Sequence, residues 1–493
     1  MAEPAKGAEP VKGWLFAGVA VLAAAAIGLA GSAIPAEEEA AQGAVAQLSG
    51  RTSSVCTTST ADQSTSSADS GTQVAGVSAK ADESSEGSLT TRELGDEGSG
   101  KPAMSVSTQG QGKVITGPEH SLVMTADGVM AGASAGMVYN TSADGENRGL
   151  SLAPCVTPAA EEWFTGLGAS DGLRSQLVLT NPDDKQAEVD LEFYDDEGQL
   201  SVPGGSGLII TAGKSRTVSL TELLGETKGE ITVKVHSTVG RVSAIGRTLR
   251  TNGDGAPSGA DWHGATLAPT TSQVIPGVPG GPGTRQLIIS NTGDRRAEAK
   301  IEVLGPDGAF APIDADQVTV EAQSVETVDV AEGLAKQIGT VRISSDQPVL
   351  TSIRSERPGK TKPNDIAIQT AQAPINNLAL APIAVVDGSE TELAISNSAA
   401  APTTADVSLI NMDGVSLYQE EIPVAANATV ERRVTQAGPA YLVVRAPDGS
   451  QLYAGYTLRQ LEGDVYGLAS ASLITPALAG GAIPTENDPR VAQ

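Results

Sequence analysis

The sequence predicts a mainly β protein made of tandem β-sandwich repeats, and three observations lead to that class. First, the chain is rich in Gly and poor in aromatic residues, which are 3% of its 493 positions. Such a mix suits short strands and turns better than helical bundles. Second, from about residue 160 to 475 apolar residues recur at every second position in short runs bounded by turn residues. Third, these runs repeat. Gln176-Leu177-Val178-Leu179-Thr180-Asn181 returns as Gln286-Leu287-Ile288-Ile289-Ser290-Asn291 and again as Glu392-Leu393-Ala394-Ile395-Ser396-Asn397.

The elements of each repeat follow in order from its asparagine. Alternating small or apolar residues come next: Val189, Leu191 and Phe193, then Ala299, Ile301 and Val303, then Ala405, Val407 and Leu409. That spacing marks strands with one buried face. An acidic residue and a glycine then stand at Glu197-Gly198, Asp307-Gly308 and Asp413-Gly414, where a hairpin can use positive φ. Further strand pairs close each unit, and short helical turns at Thr221–Leu224 and Ala331–Lys336 serve as connectors. Strands this short, with a turn about every ten residues, predict sandwiches of immunoglobulin-like size over 160–265, 266–372 and 373–475. A propeller-like radial arrangement of the repeats is the alternative.

The N-terminal region reads differently. Lys6 and Lys12 lie in a short cytoplasmic segment, 1–13, before an uncharged apolar run over 14–34, and Glu37, Glu38 and Glu39 follow. The run is near the roughly 20 residues that span hydrocarbon, and the flanking charges place the body outside the cytoplasm. It predicts a retained single-pass anchor, with a cleaved signal and a secreted body as the alternative. Residues 35–105 are rich in Ser, Thr and acidic residues and predict a flexible stalk. A short β-rich segment over 106–159 and a disordered tail over 476–493 complete the chain. Its two cysteines, Cys56 and Cys155, both follow the anchor, and in an oxidising exterior they are expected to pair. Two unrelated thiols or an intermolecular bridge are the other readings.

Chemistry is sparse. With 32 Lys and Arg against 59 Asp and Glu, the net charge of -27 argues against nucleic acid as a partner. Asp183-Asp184 and Asp195-Asp196-Glu197 fall at predicted turns and lack calcium-loop spacing. Three histidines and two cysteines are poor material for a zinc site. His236 and His263 have no nucleophile or acid at recognisable spacing, and the loop Gly277–Gly283 lacks the ending of a phosphate loop. No catalytic residue, cofactor or metal is expected. Arg247 and Arg354 occupy matching places in the first two repeats and are candidate ligand-binding residues for a groove between repeats.

Residues 148–155, Arg-Gly-Leu-Ser-Leu-Ala-Pro-Cys, lead through Trp163-Phe164-Thr165-Gly166 to Leu177-Val178-Leu179-Thr180-Asn181-Pro182. This passage resembles an uncharacterised family of actinobacterial exported proteins, domain of unknown function 5719. The resemblance is good over 145–200 and elsewhere a matter of layout. It departs at Glu162, where a second aromatic is usual, and at Leu167. It implies an N-terminal membrane segment and supports the Cys56–Cys155 pairing. It also associates the chain with envelope glycosyltransferases, and it carries no activity or site residues. The function expected is a non-enzymatic scaffold or accessory of the cell envelope, with an envelope protein, a glycan or a membrane glycosyltransferase as partner. A glycan- or ligand-binding module using a groove between repeats is the alternative, and an enzyme assembled across repeats is a third reading.

Overall fold

The computed structural model describes residues 50–58, 70–80, 86–95, 102–227, 229–334, 337–358, 364–384, 386, 388–460 and 467–476. The expected anchor over 14–34 and the expected tail beyond residue 476 lie outside them. Among the described residues, no helix is long and apolar enough to cross a membrane.

The second sandwich shows how sequence becomes structure in this chain. One sheet has the order Glu161–Leu167, Ile231–Val239, Ala187–Tyr194 and Gln199–Leu200, and Leu208–Ile210 also pairs with the third of these. The facing sheet places Lys214–Ser219 beside Leu173–Asn181, then Ser243–Thr251 and Pro257–His263, all antiparallel. Ala187, Val189, Leu191 and Phe193 bury into the core between the sheets with Leu177 and Leu179, as their two-residue period requires. Gly198 turns the hairpin with φ 138°, and its counterparts Gly308 and Gly414 also have positive φ. The helical connector is the single turn Leu220–Leu224, capped by the Ser219 side chain.

The asparagines that mark the repeat are corner clamps. Asn291 ends its strand fully buried, and its Nδ2 donates to the carbonyls of Arg295 (2.7 Å), Glu321 (2.9 Å) and Val320 (3.2 Å). Its Oδ1 accepts from the Gly293 amide at 3.1 Å. Asn181 and Asn397 make the same pattern, donating to Lys185 and Ala401 at 2.7 Å each. A buried loop corner must satisfy its own carbonyls, and this one side chain satisfies several.

Among the described residues the same strand order occurs four times, not three. Residues 50–156 form a sandwich whose sheets run Arg51–Cys56, Leu122–Gly128, Gly87–Glu93, Met104–Val106 and Gly112–Thr116, Ser70–Ser78, Ser134–Ser142, Gly149–Pro154. The expected stalk over 35–105 therefore contributes paired strands. Its Ser- and Thr-rich strands have few large side chains, and Met104, Met124 and Met130 fill the core against Leu89 and Val74. In the third sandwich one strand, Gly339–Arg357, runs through both sheets and joins them into one of eight strands. The alternative of a propeller is not found among the described residues: the units are sandwiches of two facing layers, not single-sheet blades.

Each sandwich is cinched where its first strand meets the residue after its last. Val55 pairs with Val156, Trp163 with Thr266 and Leu380 with Ile474 as antiparallel bridges. In the third unit the Gln372 amide donates to the Val274 carbonyl at 2.9 Å. In the first unit Cys56 and Cys155, the neighbours of that bridge, form a disulfide across 99 residues.

Candidate functional site

The four sandwiches pack on one another in a closed cycle. The first meets the second where Val178, Ile245 and Trp262 enter its core. The second meets the third where the Val325 amide donates to the Asp195 carbonyl at 3.0 Å and Trp163 packs with Ile288 and Leu350. Thr429 Oγ1 of the fourth donates to the Leu304 carbonyl of the third at 2.7 Å. The cycle closes where the Gly112 amide of the first donates to the Met412 carbonyl of the fourth at 3.0 Å.

The last strand of every sandwich lies on the inside of this cycle, and each packs against the last strands of its neighbours. These strands are Gly149–Pro154, Pro257–His263, Asp365–Thr370 and Gly467–Ser472. Two fully buried carboxylates tie them together. Asp365 Oδ2 accepts the Leu468 amide at 2.8 Å and the Leu150 amide at 3.0 Å, while its Oδ1 accepts the Ile366 amide at 2.9 Å. Asp261 Oδ2 accepts the Ile368 amide at 2.6 Å and its Oδ1 the Trp262 amide at 2.9 Å. Gly149 is required here: a Cβ on it would stand 2.3 Å from Asp365 Oδ1, and its φ is +124°. Burial pushes the Asp365 carboxyl up to about 8, against the three amides and the Arg148 charge that favour its ionised form. Burial also raises Asp261 well above the carboxylate range, and Asp365 adds to the effect.

Arginines stand on the strands that pair with these, Arg247 opposite Trp262 and Arg354 opposite Ile368. Arg247 is buried beneath the Trp262 ring, its guanidinium carbon 5.8 Å from the ring centroid. Its Nη1 donates to Gln176 Oε1 at 2.7 Å, its Nε to Asn147 Oδ1 at 3.1 Å, and burial lowers its pKa to about 10. Arg354 is paired with Glu230 at 2.7 Å and donates to Gln286. The two candidate ligand-binding arginines thus bridge neighbouring sandwiches, Arg247 to the first and Arg354 to the second. In the fourth sandwich Arg459 pairs with Glu392, the counterpart of Gln176 and Gln286.

At the finishing end a cavity of about 430 Å³ opens, lined by all four sandwiches through residues 152, 154–157, 263–267, 368–373 and 470–475, with Tyr453. His263 and Gln369 line it from equivalent places. Burial lowers His263 to about 4, so its ring is neutral near pH 7, and its Nε2 has no hydrogen-bond partner. Gln369 Oε1 accepts from Ser355 Oγ at 2.8 Å, while its Nε2 has none.

The remaining candidates are structural. Asp183 pairs with Arg241 at 3.0 Å, and Asp195 Oδ1 accepts the amides of Glu197 and Gly198 in a turn. The carbonyls of Pro279, Gly280 and Gly281 accept from the buried Arg285 guanidinium. Among the described residues no group of three or more His, Cys, Asp or Glu could hold a metal ion. Asp261 and Asp365 went unread in the sequence. Their only local signal is an acid within or beside an apolar strand, as in Asp365-Ile366-Ala367-Ile368.

The fold defines a mainly β protein of cyclically packed sandwiches held on an axial carboxylate tie. The chain belongs to the family of unknown function DUF5719, whose family model matches residues 104–435, more than half of its length. The passage that carries the sequence resemblance spans the axial strand Gly149–Pro154, the bridge strand Glu161–Leu167 and the strand Leu173–Asn181. No curated protein matches the chain. Among solved structures, Thermotoga maritima 1070 is similar at 18% identity and a TM-score of 0.18, covering 22% of this chain and 97% of its own. A glycosyl hydrolase family 2 member from Bacteroides cellulosilyticus is 9% identical, with a TM-score of 0.12, over 46% of this chain and 26% of its own. An anti-sigma factor domain-containing protein from Clostridium clariflavum is 8% identical, with a TM-score of 0.13, over 77% and 97%. Scores this low carry no argument about function.

Proposed function

We propose that this chain is a non-enzymatic scaffold of the cell envelope, its sandwiches held outside the membrane by the segment 14–34 and engaged by a partner protein. The observation that carries the reading is the use made of its polar side chains. Arg247, Arg354, Asp261 and Asp365, the charged groups that a ligand or reaction would need, each fasten one sandwich to another. A closed cycle so fastened loses little conformational entropy on binding and suits a rigid docking platform. The Cys56–Cys155 bond supports an oxidising, extracytoplasmic setting. An envelope glycosyltransferase is the partner class the reading favours.

The test is co-purification of the detergent-solubilised full chain from its own envelope. Stoichiometric recovery of a membrane glycosyltransferase is the expected result. Recovery of wall polymer without any protein would overturn the scaffold reading in favour of glycan binding.

A further inference from the structure

We infer that the axial cavity is a binding site for a small, uncharged, hydroxyl-rich molecule of the saccharide class. Four segments from four sandwiches converge on it, so it exists only because the cycle closes. Its volume falls within the roughly 300–1,000 Å³ range of small-molecule sites. The lining holds no Asp, Glu, Lys or Arg, and burial keeps its two ionisable side chains, His263 and Tyr453, neutral. An ion entering would lose hydration with no opposite charge to receive it. Hydroxyl and amide groups are instead plentiful, from Thr157, Thr370, Gln372, Ser472 and Thr475, beside the apolar Leu152, Ile368 and Ile474. Gln369, 2% exposed, carries an amide nitrogen without a partner. A buried donor left so is costly unless a ligand or water accepts from it. Tyr453 adds an aromatic residue to the lining. Such a mixture of neutral donors, acceptors and one ring matches a molecule whose polar groups are all hydroxyls or amides.

The experiment is a calorimetric titration of the full chain with glucose, N-acetylglucosamine, arabinose and a neutral disaccharide, with glucuronic acid as the charged comparison. Ser472→Phe fills the cavity, and Gln369→Met removes the unpartnered amide while keeping the volume. Saturable binding of at least one neutral sugar is expected, at least tenfold tighter than glucuronic acid. That binding should be abolished by Ser472→Phe and weakened roughly tenfold by Gln369→Met. Unchanged thermal unfolding of Ser472→Phe, and a cooperative transition of Gln369→Met lowered only by the lost Ser355 hydrogen bond, would show that the losses are local. The inference is overturned if no neutral sugar binds at 10 mM, if glucuronic acid binds equally well, or if a folded Ser472→Phe variant binds as the parent does. Recovery of a protein partner from the envelope is a separate result, so the scaffold reading can stand or fall independently.

Discussion

In the first sandwich, Cys56 and Cys155 are bonded covalently beside the bridge that joins its start to its end. In the other three the same places hold Phe164 and Ala265, Ile275 and Ala371, and Ala381 and Leu473, each pair packed in its own core. The asparagine clamp differs in the opposite sense. Strands ending on Asn181, Asn291 and Asn397 have it, whereas the strand Ser70–Ser78 ends on Ser78, whose hydroxyl makes only a 3.4 Å bond to the Ala79 carbonyl. A corner built on short polar residues lacks the multiple hydrogen bonds of an Asn clamp. The covalent bond compensates by limiting the unfolded chain instead of strengthening the folded one. Two solutions to one closure problem therefore coexist in a single chain.

The largest effect should come from removing the covalent closure. Replacing both cysteines by serine is expected to destabilise the first sandwich by roughly 4–5 kcal/mol, from the chain-entropy cost of a loop near 100 residues. Chemical denaturation of the variant, and of the parent with reductant, would measure it. Equal stability with and without the bond would mean that the seams alone hold this sandwich.

A smaller loss is expected at the axis, where the four units are alike in placement. Asp365→Ala leaves the amides of Leu150, Ile366 and Leu468 without their acceptor and should cost about 3 kcal/mol. Faster hydrogen exchange at those three amides would be its signature. The pH dependence has a definite sign. The native pKa of about 8 lies above the unfolded value of 3.8, so the native state holds the extra proton between them. This contribution is complete at low pH and is lost as pH rises towards 8. Asp365→Asn, which cannot ionise, should flatten the profile and compare more favourably with the parent at pH 9 than at pH 5. A parallel loss in both proteins would remove Asp365 as the cause.

The clamp itself is the third test. Asn291→Ala should cost about 2 kcal/mol by orphaning several buried carbonyls and the Gly293 amide. Ser78→Ala should stay within about 1 kcal/mol, because it loses one long bond. Similar thermal shifts for the two variants would erase the contrast between the first sandwich and the rest.

Much of the second to fourth sandwiches was legible because their signals are local. A two-residue apolar period, a turn glycine and a clamping asparagine act within one hairpin, and each recurs at the same offset. The first sandwich lacked those marks. Its strands Arg51–Cys56 and Ser70–Ser78 are mostly small and polar, and they gain stability from methionines and a disulfide supplied by residues 104–155. Arg247 and Arg354 drew attention by their matching places, and that match is real. Their role was hidden because Asn147 and Glu230, which occupy them, belong to the preceding sandwiches.

By itself, then, the sequence determined the β class, the turn positions of the repeated hairpins and the recurrence of the unit, since these follow from the chemistry of neighbouring residues. Only the tertiary structure decided that the units number four and close into a cycle. It also decided that two acids tie the axis and that a neutral cavity lies at one end. Those features depend on meetings such as Leu150 with Asp365 and Gly112 with Met412, between groups hundreds of residues apart. No local pattern encodes such a meeting, because it is selected by the packing of complete sandwiches.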